Sequence, residues 1–273
     1  MSLRHCVLST VLVCMVSTPA SSQVLDAARG PEDGCQRPAP PPQSEIVTSD
    51  QRPIIQARYF GATRAYTHGV LGDTIEAEGL LVRYDDGTRV VCDSVLAGKN
   101  RVFEDTAPRL VDLNGDGRNE VIAVASHAQK GARLEVYGYP APGQDFQLLA
   151  ATPYIGRSYR WLAPIGAADL NGDGRMEIAY IDRPHLAKTL RIWRYDNHTL
   201  TEIAVQPGYS NHKIGWPFIA GGIRSCDDTP EMILATANWS SIVAVSLVDN
   251  KVRTEVIGRF DGPESLQASL SCP

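Results

Sequence analysis

From about residue 54 onward the chain is a succession of short apolar runs set between clusters of Gly, Asp, Asn and Pro. Val121-Ile122-Ala123-Val124, Leu134-Glu135-Val136-Tyr137, Ile178-Ala179-Tyr180-Ile181, Leu190-Arg191-Ile192-Trp193 and Ile242-Val243-Ala244-Val245 all have strand length. Turn signals recur every ~8–12 residues, and no segment keeps a 3.6-residue apolar period for three turns. The pattern predicts an all-β domain: a sandwich, a barrel or a propeller.

Internal repetition selects among these. The nine-residue loop Asp-Leu-Asn-Gly-Asp-Gly-Arg-x-Glu starts at Asp112 and again at Asp169, 57 residues later. An apolar strand and then a second strand (134–139 and 190–195) follow each copy. Residues 219–237 repeat the unit with a degraded loop, Glu231 standing where Glu177 stands, and 80–85 align with 134–139. Leu80, Leu134, Leu190 and Val243 thus recur at steps of 54, 56 and 53. A unit of about 54 residues holding about four strands is the size of one propeller blade. The expectation is a small β-propeller with four detectable blades, five with one degenerate copy being the alternative. A sandwich does not explain so long a period.

The repeated loop has the chemistry of a hard-cation site. Asp112, Asn114 and Asp116 alternate, so a tight turn can aim three side-chain oxygens inward, and Gly115 and Gly117 permit the positive φ such a turn demands. The main-chain carbonyl of Arg118 and the carboxylate of Glu120 complete an oxygen cage suited to Ca²⁺. Asp169, Asn171, Asp173, Arg175 and Glu177 repeat every element. An EF-hand needs Glu at loop position 12 and flanking helices; here that position is Ala123 or Tyr180, inside strand-like runs. DLNGDGRNEV and DLNGDGRMEI resemble the calcium loops of FG-GAP/VCBS repeats, as in integrin α-subunit propellers. The resemblance covers roughly residues 54–262, strongly in the two middle units. It implies a β-propeller with Ca²⁺ between the first two strands of a blade, and no particular activity. In the fourth unit Ile223, Ser225 and Asp227 replace Asp, Asn and Asp, so no calcium is expected there.

Residues 1–22 read as a signal peptide: Arg4, an apolar run from Cys6 to Val16, then small residues allowing cleavage after Ala20 or Ser22. No segment reaches the ~18 apolar residues of a membrane span. Residues 23–50 read as a Pro-rich linker and 51–273 as the propeller. The protein is expected to be secreted or periplasmic. A formal charge of −5 argues against nucleic-acid binding. Cys35, Cys92, Cys226 and Cys272 remain after export, allowing two disulfides in any of three pairings; without CxxC spacing they do not suggest zinc.

Basic and aromatic residues gather in what read as the inter-blade connections: Arg64, Tyr66 and His68; Arg101 with Asn100 and Phe103; Arg157, Tyr159, Arg160 and Trp161; His212, Lys213 and Trp216 with Asn211. Equivalent propeller loops share one face, so the expectation is a funnel for an anionic or planar glycan or protein ligand. The first functional reading is a binding or adhesion module. A structural docking protein of the envelope and a calcium-assisted polysaccharide-acting enzyme, using His68, His212 and Tyr159, are the alternatives. No nucleophile elbow, HExxH or phosphate-binding glycine loop is present.

Overall fold

The computed structural model describes residues 35–226 and 229–272. The signal segment, most of the linker's first half and Asp227 lie outside the described residues. The fold is all-β and propeller-like: the described residues form three antiparallel sheets of nine, four and five strands, the first of which holds two of the repeat units side by side, so the chain divides into four units in order. Unit 1 holds β1 (Val47–Thr48), β2 (Ile54–Thr63), β3 (Glu76–Asp85) and β4 (Val90–Leu96). Unit 2 holds β5 (Arg101–Phe103), β6 (Arg109–Val111), β7 (Glu120–His127), β8 (Gly131–Gly138) and β9 (Gln147–Ala151). Unit 3 holds β10 (Leu162–Ala168), β11 (Glu177–Asp182), β12 (Thr189–Asp196) and β13 (Thr199–Pro207). Unit 4 holds β14 (Tyr209–Ser210), β15 (Gly222–Cys226), β16 (Thr229–Thr236), β17 (Ser241–Val248) and β18 (Lys251–Arg259). Helix α1 (Pro263–Ala268) follows. Leu80, Leu134, Leu190 and Val243 fall on β3, β8, β12 and β17, the next-to-outermost strand of each unit, so the period read from the sequence is the period of the fold.

Stacking explains why the central strands lack polar alternation. On β7, Val121 and Ala123 enter a core layer with Tyr59, Leu80 and Val82 of unit 1. Ile122 and Val124 enter the next layer, with Leu162, Ile178 and Tyr180 of unit 3. On β11, Ala179 and Ile181 turn to Met232, Leu234 and Val243 of unit 4. Strand alternation thus feeds two cores, and both faces must be apolar. Full burial of each such aliphatic side chain is worth roughly 1.5–3 kcal/mol. The outer strands β13 and β18 are largely exposed and carry Thr, Glu, Lys and Arg, which blunts their free edges. Asn197-His198 and Asp249-Asn250 lead into them with both φ values positive, as two-residue hairpins require.

The two end units bury their outer faces against the chain's own terminal segments. Leu266 of α1 packs on Ala220, Ile233, Ile242 and Ala244 of unit 4, and Cys226–Cys272 ties that segment down. On unit 1, Gly61 N donates to Ala39 O at 3.1 Å. The Arg37 guanidinium lies 5.9 Å from the Phe60 ring centroid, and Cys35–Cys92 anchors the segment. Of the three pairings open in the sequence, the fold uses the one that links neighbours along the chain. Among the described residues no helix is long and apolar enough to cross a membrane.

Candidate functional site

Loop 112–119 joins β6 to β7, and loop 169–176 joins β10 to β11. They project at the same end as loop 49–53 of unit 1: Asn119 Nδ2 donates to Ser49 Oγ at 2.9 Å, and Gln51 Nε2 to Asp112 Oδ2 at 3.3 Å. Gly115 and Gly117 take φ of 75° and 82°, Gly172 and Gly174 of 74° and 83°, so the two loops follow one backbone path.

In the first loop both Asp112 oxygens accept main-chain N–H groups, from Gly115 and Gly117 at 2.8 Å. Asp116 Oδ1 accepts from Arg118 N at 2.9 Å, and its Oδ2 takes the Arg118 guanidinium. Glu120 is buried; its Oε2 accepts from Leu113 N at 2.8 Å and its Oε1 from Asn114 Nδ2 at 3.1 Å. Burial, reinforced by the nearby Asp116 and Asp112, pushes the Glu120 carboxyl up to about 7. In the second loop Asp169 accepts from Asp173 N and Gly174 N, and Glu177 accepts from Leu170 N at 2.9 Å. The oxygens nominated by the sequence are those of Asp112, Asn114, Asp116, the Arg118 carbonyl and Glu120, and their counterparts Asp169, Asn171, Asp173, the Arg175 carbonyl and Glu177; in the second loop Arg194 holds Asp173 and Glu177. The carboxylates here are engaged by loop N–H groups. Among the described residues no three His, Cys, Asp or Glu side chains form a ready metal-ligating group. Ile223 and Ser225 lie on β15, so unit 4 carries strand where units 2 and 3 carry the loop.

At the opposite end, loop 64–75 reaches across the molecule. Val70 is buried in the layer between units 2 and 3, and its carbonyl accepts from Gly215 N of unit 4 at 3.1 Å. Loops from all four units therefore meet there. A cleft of about 210 Å³ is lined by His68, Tyr159, Arg160, Trp161, Arg183, Pro184, His185, Leu186 and Ile214. His68 Nδ1 lies 2.6 Å from Oε1 of the fully buried Glu104, whose other oxygen accepts from Ser126 Oγ. Trp161 is buried and donates Nε1 to the Glu104 carbonyl at 2.8 Å. Tyr159 N donates to Tyr66 OH at 2.9 Å, and the two rings stack at 5.2 Å. Tyr66 is buried beneath; Tyr159 is 47% exposed and forms the cleft's open aromatic face. His212 Nε2 lies 2.9 Å from the Trp216 carbonyl, and its Nδ1 lies 2.9 Å from His185 Nε2. A carbonyl only accepts, so His212 carries its proton on Nε2, His185 donates to His212, and His185 Nδ1 is left bare. Burial holds both imidazoles at about 4, so the pair is neutral at pH 7. Gly131 seats the lip of the cleft: a Cβ there meets Arg157 O at 2.3 Å.

The funnel expected from the sequence is thus divided. Tyr66, His68, Tyr159, Arg160 and Trp161 come together, with His212 one imidazole behind. The loop bearing Arg64, Tyr66 and His68 joins β2 to β3 within unit 1 and is not an inter-blade connection, though it lies at the same end. Arg64 donates to Thr74 Oγ1 at 2.6 Å, and Arg101 is taken up by the buried Glu135. Arg157 is exposed on the lip. Lys213 lies over the rings of Trp216, Trp239 and Phe260, at 5.5, 4.7 and 5.1 Å from their centroids, as a separate cluster. Sequence reading missed Glu104, Arg183 and His185. His185 sits in the β11–β12 loop, the unit-3 counterpart of the loop carrying His68; comparing those two loops points to it.

Beneath His68 lies an acid cluster. Burial first, then Glu104, Asp73 and Asp105, push Glu76 far above the usual carboxylate range. Its folded pKa exceeds the unfolded one, so its contribution is complete below the unfolded value and is lost as pH rises toward the folded value. Glu76→Gln is expected to stabilise the protein by about 2 kcal/mol at pH 8 and to change little below pH 4. Urea midpoints at the two pH values check this.

Residues 112–180 match the family model described as FG-GAP-like repeat. No curated protein matches the chain. Among solved structures it is similar to Sqt1 of Saccharomyces cerevisiae (8% identity, TM-score 0.40, 74% of this chain and 44% of that one). It is also similar to an exo-β-1,3-galactanase of Phanerochaete chrysosporium (12%, 0.41, 80% and 50%), and to a protein from Lactobacillus plantarum (10%, 0.36, 79% and 70%). The chain spans about half the length of the first two.

Proposed function

Proceeding from the FG-GAP-like repeat in residues 112–180, we propose that this chain is an exported, calcium-binding, four-bladed β-propeller that binds an anionic carbohydrate in the cleft beside His68. Two disulfides support an oxidising compartment, and the N-terminal residues read as an export signal. The twin oxygen-lined loops supply calcium ligands on one face, bracing the blades from which the opposite face is built. The observation that carries the ligand reading is the cleft itself. An exposed Tyr159 ring stands next to Arg160, whose guanidinium is engaged among the described residues by the Tyr159 carbonyl alone, at 2.7 Å. A ring face and an uncommitted cation, with bare imidazole nitrogens opposite, suit a sugar ring bearing a carboxylate or sulfate. Arg183 is held on Asp182 and contributes less charge.

Calorimetric titration with uronate or sulfated oligosaccharides and with neutral ones is the test. Anionic ligands are expected to bind, with a loss of about tenfold or more in Arg160→Ala and in Tyr159→Ala, a loss of about 1.4 kcal/mol or more. Equal affinity for neutral ligands, or no binding at all, would overturn the reading. A polysaccharide-acting enzyme is the second reading, favoured by the contact between His68 and Glu104. With Nδ1 held by a carboxylate, His68 keeps Nε2 for proton transfer. Chain cleavage in the same mixtures, lost in His68→Ala, would put this reading first.

A further inference from the structure

We propose that the two loops, alike in sequence, are unlike in metal binding: loop 112–120 takes Ca²⁺, and Arg194 occupies the cation position of loop 169–177. This rests on the calcium reading above and refines it.

The difference comes from one position outside the loops, on the strand paired with the ninth-position glutamate. In unit 3 the β11–β12 register sets Glu177 opposite Arg194. In unit 2 Val121 pairs with Tyr137, so the residue beside Glu120 is Gly138, which has no side chain. A Cβ on Gly138 would lie 3.4 Å from Glu120 Cγ. Arg194 reaches into the second loop and bridges two of its three carboxylates: Nε lies 3.0 Å from Glu177 Oε1 and Nη2 lies 2.7 Å from Asp173 Oδ2. These are the oxygens a dication would need. Among the described residues no basic side chain forms such an ion pair with Glu120.

The loop arginines respond to this difference. Arg118 engages Asp116 from within the first loop, through one carboxylate, and is close enough to act on the Glu120 charge without forming an ion pair with it. Arg175, its counterpart, is turned outward to Asp196 at 3.7 Å, since Asp173 is already held. Unit 4 reaches a similar pairing from the other neighbouring strand, β15, the β16–β17 register setting Ser246 where unit 3 has Arg194. There the oxygen-lined loop has been lost, and Arg224 binds Glu231, the equivalent of Glu177, at 2.9 Å. Of the three ninth-position glutamates, two carry a guanidinium and one does not.

A guanidinium offers five donors, no acceptor and a permanent charge. Calcium entering the second loop would have to displace two charge-assisted hydrogen bonds and then share the site with a partly buried cation. Repulsion at that range predicts binding on the order of 100-fold weaker, or more, in the second loop than in the first.

Calcium titration of the full chain after chelator dialysis tests this. One Ca²⁺ per chain is expected, lost in Asp112→Asn and kept in Asp169→Asn. Arg194→Gln is expected to gain a second site, and Gly138→Arg to lose the first. If Arg194→Gln does not fold, the two aspartate variants and Gly138→Arg decide alone. Two sites in the wild type, one removed by each aspartate variant, would overturn the inference while leaving the calcium reading standing. One site removed by Asp169→Asn, or no second site in a folded Arg194→Gln, also overturns it. No site in the wild type removes the calcium reading, and this inference with it.

Discussion

Replacing Glu135 by alanine is expected to lower the unfolding free energy by about 3–5 kcal/mol, the cost of removing one partner from a buried ion pair. Glu135 is fully buried on β8. It accepts from Arg101 Nη2 and Tyr137 OH, and from Arg133 Nε at 2.6 Å. Without it two guanidinium groups, with side chains only 21% and 20% exposed, face each other with no anion between them. Arg101 Nε already lacks a partner among the described residues, so the variant would leave a further run of buried donors unmatched. Glu135→Gln keeps the shape and one acceptor, and is expected to cost less. The control is Asp261→Ala. Its pair with Arg259 has side chains 65% and 83% exposed, and solvent screening limits its worth to about 0–1 kcal/mol. Urea unfolding of the three variants measures the difference directly. A Glu135→Ala midpoint close to that of Asp261→Ala would show that the cluster does not act as a buried unit.

Glu135 also marks where the sequence stops being readable. Leu134-Glu135-Val136-Tyr137 has the pattern of a strand with one polar face, and Arg101 reads as one of the cations of the ligand face. Units stack on both faces of the strand, however, and the two charges are packed together in the interior. The period-54 repeat and the place of Leu80, Leu134, Leu190 and Val243 within their units were legible because both depend on local pattern. The twin loops were legible for the same reason, down to their positive-φ glycines. The cleft was only half legible. Tyr66, His68, Tyr159, Arg160 and Trp161 lie on loops that any propeller brings to one face. Their partners Glu104 and His185 are fixed by how far loop 64–75 reaches, which no periodicity encodes. Arg194 belongs to the same class, since its meeting with Glu177 is a matter of strand register. The cysteine pairing was open for a similar reason: it depends on which terminal segment covers which end unit.

Removing the Cys226–Cys272 bridge, in a double alanine variant, is expected to cost about 2–4 kcal/mol. The bridge closes a loop of sequence separation 46, for which the entropy released to the unfolded chain amounts to about 4 kcal/mol at most. The fold adds a second consequence. Helix α1 has six residues and makes no side-chain cap hydrogen bond at its N-terminus, so it cannot persist unless it is held against the sheet. It is held by Leu266 on Ala220, Ile233, Ile242 and Ala244, by the Arg224 Nη1 bond to Ser269 O at 2.9 Å, and by the bridge. Losing the bridge should therefore expose the outer face of unit 4 by local opening, before global unfolding. Limited proteolysis is expected to cut the bridge-free protein first beyond Arg259. Leu266→Ala, with the bridge intact, should cost about 2–4 kcal/mol by cavity formation while leaving the segment attached and protected from early cutting. Loss of stability with unchanged proteolysis would mean that the bridge acts on the unfolded chain alone. Early cutting with unchanged stability would mean that unit 4 does not need its cover.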